Sequence, residues 1–234
     1  MNLVLLREED FTAPGRARLT GRRQRHVLEV HRAEVGDELV VGLLGGSVGR
    51  GRVTSLEDGL HLEVVLDQPP PPKLPLTLVL ALPRPKVLNR TLAAATSLGV
   101  ASIYLVNAWK VEKSYWKSPR LSEENLLEQR ILGLEQARDT VLPALHLRRL
   151  LRPFAEEELA GIVQGTTALL AHPGVPGPCP RDAGGPVVLV IGPEGGFIPA
   201  EVELLSRSGC RPVNLGERIL RVETAVAALT GRLF

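Results

Sequence analysis

Val187-Val-Leu-Val-Ile191-Gly-Pro-Glu-Gly-Gly-Phe197 joins five consecutive branched apolar residues to a glycine-rich turn around a single carboxylate. A short continuous apolar run that stops at a turn predicts a strand buried on both faces, as in a parallel sheet covered by helices. Towards the C-terminus the pattern gives a helix over 199–208, a strand over 212–215 and a last helix with Val222, Val226, Leu229 and Leu233 at helical spacing. Towards the N-terminus, Leu76 to Leu82, Ser102 to Val106 and Thr167 to Ala171 read as strands. Helices are expected at 87–98, from a Ser122 cap to about Thr140 with Leu127, Ile131 and Leu134 on one face, and at 154–163. Strands alternating with helices make this part an α/β fold with a mostly parallel sheet.

That pattern begins after Gln68-Pro-Pro-Pro-Pro-Lys-Leu-Pro75. Four successive prolines join neither a helix interior nor a sheet ladder, so they mark a stiff spacer. The expected division is a small domain over 1–68 and an α/β domain over 74–234. In the smaller part, 35–42, 49–56 and 60–66 carry short β-prone runs, and a helix is expected around Gly21 to His31, which together suggest a small β-barrel. Gly42-Leu-Leu-Gly-Gly-Ser-Val-Gly-Arg-Gly51 lacks the Gly-Lys-Ser/Thr ending of a phosphate loop and reads as hairpin turns.

Hydrophobic content of 44% and charged content of 23% are ordinary for a globular chain of 234 residues. The first ten residues hold no basic leader, and no apolar run approaches the roughly 18 residues of a membrane span. Cys179 and Cys210 form no Cys-x-x-Cys pair, so neither zinc nor a disulfide framework is implied, and a reduced cytoplasmic protein without metal is the expectation. Net charge is only +2, but Arg16, Arg18, Arg22, Arg23, Arg25 and Arg32 face the single acid Glu29 between 16 and 32. Such a patch suits RNA phosphates; a solvated helix face explains it equally well. With only eight aromatic residues in the chain, stacking surfaces are expected to be few and RNA affinity to lean on arginine.

In open α/β sheets, ligands bind beyond the carboxyl ends of the strands, so three loops stand out. Leu170-Ala-His-Pro-Gly174 carries His172, a ligand candidate that reads more simply as a hydrogen-bonded loop histidine. Gly192-Pro-Glu-Gly-Gly196 lets a ligand approach the backbone closely; the plainer reading is a tight turn before the next helix. Asn214-Leu-Gly-Glu-Arg-Ile-Leu-Arg-Val-Glu-Thr-Ala225 couples Arg218, Arg221 and Glu223 to a helix start, which is either a site or a surface ion pair. The spacing is not that of a dinucleotide fingerprint, and no Gly-x-Ser-x-Gly elbow is present.

The ordered pair Ile191-Gly-Pro-Glu-Gly-Gly-Phe197 and Leu215-Gly-Glu-Arg-Ile-Leu-Arg-Val-Glu-Thr-Ala225 closely resembles the bacterial RsmE-type family, which methylates N3 of a uridine in small-subunit (16S) ribosomal RNA. Leu134-Glu-Gln-Ala-Arg-Asp-Thr-Val-Leu-Pro143, Ser97-Leu-Gly-Val100, His26-Val-Leu-Glu-Val-His-Arg32 and Gly36-Asp37 are similar to further family segments, so the likeness spans nearly the whole chain. The chain departs where Ser97 stands in place of a usual glutamate, and where Pro83-Arg-Pro-Lys86 replaces a Lys/Gly-rich stretch.

The resemblance implies a knotted SPOUT methyltransferase domain, a PUA-like RNA-binding N-terminal domain, a homodimer, and S-adenosylmethionine as cofactor. It would place Leu170, His172, Gly192, Glu194, Gly195, Gly196, Leu215, Gly216, Ile219, Leu220, Arg221, Thr224 and Ala225 around the cofactor. Arg22, Arg23, Arg25 and Arg32 would meet RNA of the small ribosomal subunit. Uracil N3 is a poor nucleophile until its proton leaves, and charge then spreads onto the ring oxygens, where a fixed cation favours that state. Arg221 is the candidate for this role, with Glu194 orienting the base or assisting proton removal. A knotted methyltransferase acting on transfer RNA, or a non-catalytic assembly factor, is the alternative.

Overall fold

The computed structural model describes residues 2–175 and 177–234, which form two compact units. One extends to Pro72 and also contains Ile131–Leu142; the other contains Lys73–Arg130 and the chain from Pro143 onward. No described helix is long and apolar enough to cross a membrane. Among the described residues, no group of three or more His, Cys, Asp or Glu side chains is placed to hold a metal ion.

The first unit is a six-stranded sheet in the order β1-β4-β5-β6-β3-β2. Its strands are β1 (Val4–Leu6), β2 (Phe11–Ala13), β3 (Arg16–Leu19), β4 (Glu38–Leu43), β5 (Val48–Ser55) and β6 (Leu60–Gln68). β1 runs parallel to β4, and every other pairing is antiparallel. Alternation along β5 and β6 sends Val53, Leu60, Leu62 and Val64 into a core shared with Val4, Leu6, Leu19 and Val41. Helix α1 (Gly21–His26) continues as a wider π turn (Val27–His31) and stops at Arg32, whose φ of 55° is left-handed. The stretch Gly42–Gly51 is only partly a turn. Gly49 and Gly51 lie inside β5, where a Cβ on Gly49 would sit 1.9 Å from the Val65 carbonyl oxygen and one on Gly51 2.8 Å from Val41 Cγ1. Close approach of a neighbouring backbone at Gly49, and of the Val41 side chain at Gly51, explains these glycines better than turn geometry does.

Two buried carboxylates fasten the periphery of this unit. Asp10, 7% exposed, receives Arg23 through both guanidinium nitrogens at 2.5 and 2.8 Å and the Arg7 backbone N–H at 2.7 Å. Arg23 also donates to the Leu5 carbonyl at 2.8 Å, tying α1 to β1. Glu135 lies 3.3 Å from Arg22; burial pushes its carboxyl up from the ordinary range, and Arg22 opposes that shift. The carbonyl of the same residue accepts the Asn2 and Leu3 backbone N–H groups, which is how Ile131–Leu142 becomes part of a unit far from it in sequence.

The second unit is a fully parallel sheet in the order β12-β10-β11-β7-β8-β9. β7 (Leu74–Ala81), β8 (Val100–Val106), β9 (Ala144–Arg148), β10 (Thr167–Ala171), β11 (Val187–Ile191) and β12 (Arg211–Val213) alternate with helices. These include α2 (Pro85–Ser97), the first part of α3 (Glu123–Ala137) up to Arg130, α6 (Pro199–Arg207) and α7 (Val222–Leu233), with the short α4 (Leu151–Pro153) and α5 (Ala160–Ile162) flanking a π turn over Phe154–Leu159. All five residues of β11 are buried, as the apolar run predicts, each contributing about 1.5–3 kcal/mol relative to exposure. Helix α2 packs on β8 and α7, and α6 packs on β10 and β12. Ser122 caps α3 through the Asn125 N–H at 3.3 Å, but the side chain buried there is Leu126 rather than the expected Leu127. β1, β2, β3 and β9 are too short or too poorly alternating to announce themselves.

Gly49→Ala should remove the folded first unit, because its obstacle is backbone and cannot swing aside. Loss of its cooperative thermal transition would show this. Arg23→Ala should cost about 3–5 kcal/mol by leaving Asp10 buried and uncompensated, whereas Arg25→Ala should cost under about 0.5 kcal/mol. Urea unfolding of both variants distinguishes these outcomes.

Candidate functional site

Three strands whose last residues lie up to 42 positions apart in sequence end level with one another. Ala171 pairs with Ile191 on one side and with Val213 on the other, so the loops after β10, β11 and β12 leave the sheet side by side. Between them lies a cavity of about 320 Å³. This is at the lower end of the sizes that hold small ligands. Its walls are largely apolar: Phe197, Leu215, Leu220, Val222 and Leu229 line it, with the backbone turns at Gly192, Gly196 and Gly216. A Cβ at Gly192 would press on the Phe197 ring at 3.1 Å. Gly216 has φ +107° with open space around it, so glycine serves the backbone there.

The loop after β11 is pinned at several points. Glu201, 9% exposed, accepts the Ile198 N–H at 3.0 Å and the Trp109 N–H at 2.7 Å. Lys110 Nζ donates to the Gly195 carbonyl at 2.7 Å, and its stem lies flush on that glycine, where an added Cβ would meet Lys110 Cδ at 2.9 Å. Glu194 Oε1 accepts the Arg84 N–H at 3.0 Å, just ahead of α2. No described donor bonds Glu194 Oε2.

The loop after β12 is held by Asn214. Its N–H donates to the Gly177 carbonyl at 2.7 Å, its carbonyl accepts the Cys179 N–H at 2.7 Å, and its side chain bonds the Gly216 N–H and the Val175 carbonyl. The chain then reaches Arg221, whose extended backbone (φ −66°, ψ 154°) immediately precedes α7. Arg221 and Arg218 are both exposed and form no hydrogen bond or ion pair through their guanidinium groups with any described residue. Glu223 turns away to Arg90, at 3.7 Å. The surface ion pair that this segment suggested therefore involves neither of its own arginines.

His172, Gly192, Glu194, Gly196, Leu215, Gly216, Ile219, Leu220, Arg221 and Ala225 all line the cavity. Gly195 instead lines the adjoining open recess, Leu170 is wholly enclosed in the sheet, and Thr224 is not among the lining residues. His172 is a hydrogen-bonded loop histidine: its Nδ1 accepts the Gly174 N–H at 3.1 Å and its backbone N–H donates to the Val213 carbonyl at 2.9 Å. Sequence reading missed Phe197, Leu229 and Glu201. The first two belong to apolar patterns that also describe core, and a glutamate three residues after a β11 loop gives no sign that it will be buried.

Of the four N-terminal arginines, Arg23 is committed to Asp10 and Arg22 to Glu135. Arg25 and Arg32 form no side-chain hydrogen bond or ion pair with a described partner. All four belong to the first unit and are distinct from the residues of the cavity.

Comparison with known proteins gives this cavity a context. A family model described as an RNA methyltransferase domain matches residues 70–233. The ribosomal RNA small subunit methyltransferase E of Treponema pallidum is 32% identical, with 97% of this chain and 88% of that protein aligned. Its counterpart in Synechocystis is 31% identical over 88% of this chain and 69% of that protein. Among solved structures, the ribosomal RNA small subunit methyltransferase E of Neisseria gonorrhoeae, bound to S-adenosyl methionine, superposes with a TM-score of 0.76 over 98% of this chain and 95% of that one, at 24% identity. With its parallel sheet, its three level loops and relatives aligned along nearly its whole length, the chain belongs to the RNA methyltransferase family, among the ribosomal RNA small subunit methyltransferases E.

Proposed function

We propose that this protein transfers a methyl group from S-adenosylmethionine to N3 of a uridine in small-subunit ribosomal RNA. One observation carries the reading: an apolar cavity ringed by three loops has at its mouth an arginine, Arg221, with no ion-pair partner among the described residues. The relatives' names supply the RNA, and the bound ligand of the Neisseria gonorrhoeae structure supplies the cofactor.

The cavity's residues fit that group. Leu215, Leu220, Val222 and Leu229 give a nucleoside ring an apolar bed, and Gly192, Gly196 and Gly216 keep side chains out of the way. Glu194 adds a carboxylate beside a cationic guest. S-adenosylmethionine, when bound, supplies a methyl on a positively charged sulfur. The protein's task is to hold the uracil and manage its proton. Arg221 stabilises negative charge on a ring oxygen once the N3 proton departs. Glu194, fixed by the Arg84 N–H through one oxygen, turns the other towards the base and either orients it or accepts that proton. The pairing edge of uracil has to be free for this, so the target uridine is unpaired or extruded.

A PUA-like RNA-binding domain over 1–68 is supported by the mixed six-stranded sheet and by Arg25 and Arg32, which leave their charge available. The methyltransferase domain is assigned to 74–234. A trefoil knot there is supported by the β10–β11 connection, which is bonded to the chain just after β12 and again at the end of α7: Gly177 and Cys179 to Asn214, Asp182 and Ala183 to Arg232 and Leu233. A homodimer is supported by Ile219, 82% exposed at the cavity mouth, an apolar side chain that a second copy would cover.

Arg221→Ala should lower the rate of methyl transfer by about 10² to 10³ while S-adenosylmethionine affinity, measured by calorimetry, stays within a few-fold. Near-normal turnover would remove Arg221 from the mechanism, and a missing N3-methyluridine in wild-type product digests would end the assignment. RNA affinity should fall steeply with salt, and the log–log slope should shrink by about 0.7–0.9 for each phosphate that Arg25→Ala or Arg32→Ala leaves unneutralised. An unchanged slope in both would move the RNA surface elsewhere.

A further inference from the structure

Trp109-Lys-Val-Glu-Lys-Ser-Tyr-Trp-Lys-Ser-Pro-Arg120 concentrates residue types that the chain uses sparingly. It holds three of the five lysines (Lys110, Lys113 and Lys117) and three of the eight aromatic side chains (Trp109, Tyr115 and Trp116) in twelve residues. Four cations here face one acid, Glu112. Aromatic rings interleaved with cations are what single-stranded nucleic acid asks of a protein surface, because every base offers a face to stack on and every phosphate a charge to meet.

The structure divides the aromatic residues into supports and one free ring. Trp116 is half-buried, donates Nε1–H to Asn107 Oδ1 at 2.9 Å and lies under the Arg149 guanidinium, 5.8 Å from its ring centre. Tyr115 donates its hydroxyl to Glu112 at 3.1 Å. Trp109 is 79% exposed. Its backbone, by contrast, is fixed. The turn Ala108–Val111 closes through a 3.0 Å hydrogen bond, and both of its ends are buried. The Trp109 N–H is held by Glu201, and the next residue, Lys110, is bonded to Gly195 in the glycine loop of the cavity. A large indole on a rigid mount loses little conformational freedom when something stacks on it, and leaving it in water otherwise forfeits its burial energy. Lys113 and Lys117 are exposed and form no side-chain hydrogen bond or ion pair with a described residue, so their charge is available to phosphates.

We propose that Trp109 is a base-stacking platform for a single-stranded nucleotide flanking the methylated uridine, with Lys113 and Lys117 meeting the adjoining phosphates. This rests on the RNA methyltransferase reading and adds a substrate-positioning residue to it. Aromatic residues are few in the chain, but three of the eight are gathered beside the turn that anchors the glycine loop.

The test uses the full-length protein and a twelve-nucleotide oligouridylate. Trp109→Phe leaves Trp116 as the remaining tryptophan, so the difference between wild type and this variant isolates the Trp109 emission. Oligouridylate should quench that difference signal. Trp109→Ala should weaken oligouridylate binding by about 5- to 100-fold, Trp109→Phe should restore it to within about threefold, and S-adenosylmethionine affinity should be unchanged in both. Trp109→Ala binding within twofold of wild type, or quenching that arises wholly from Trp116, overturns the proposal. So does weakened binding that tracks a change in oligomeric state by sedimentation velocity, since the ring would then face a second copy of the chain. Oligouridylate binding through Trp109 without any methylation of ribosomal RNA would instead defeat the proposed reaction and leave the platform standing.

Discussion

A carboxylate with two backbone donors organises the functional end of the second unit. Glu201 leaves water to accept the Ile198 N–H and the Trp109 N–H, so it joins the loop after β11 to a turn ninety positions earlier. A buried charge is tolerable only when it is satisfied this fully, and the same satisfaction makes the two segments move as one. The glycine loop owes its place to this bridge and to Lys110, and the cavity owes its shape to the glycine loop. The proposed stacking platform and the cavity are thereby fastened to a common point.

The parallel sheet supplies the other half of the arrangement. Because β10, β11 and β12 end in register, three loops remote in sequence converge at one end of the sheet. Glycine turns keep the loop backbones close to the cavity while larger apolar side chains form its walls.

Much of this was legible in the sequence, and the limits have physical reasons. The buried run 187–191 declares a parallel sheet because both of its faces meet apolar neighbours, and the two C-terminal motifs declare the family and most of the cavity lining. Arg23 illustrates what a sequence withholds. In a row of arginines it looks like one more phosphate ligand, and only the fold brings Asp10 within 2.5 Å of it. Gly49 likewise reads as a turn until the neighbouring carbonyl of Val65 is seen to occupy the space a side chain would need. Trp109 went unnoticed because scarcity was counted over the whole chain, whereas stacking depends on local density.

Cys179 and Cys210 are both nearly inaccessible, and burial raises both thiols, that of Cys210 to about 11. Cys179 lies on the β10–β11 connection, with its N–H on Asn214 and its carbonyl on Arg232. The thiolate is the form that attacks an alkylating reagent, so at neutral pH neither buried sulfur reacts until its surroundings come apart. The chain thus carries a built-in chemical clock for local loosening around its two thiols, and leaves its exterior clear for a single engineered cysteine to be labelled alone.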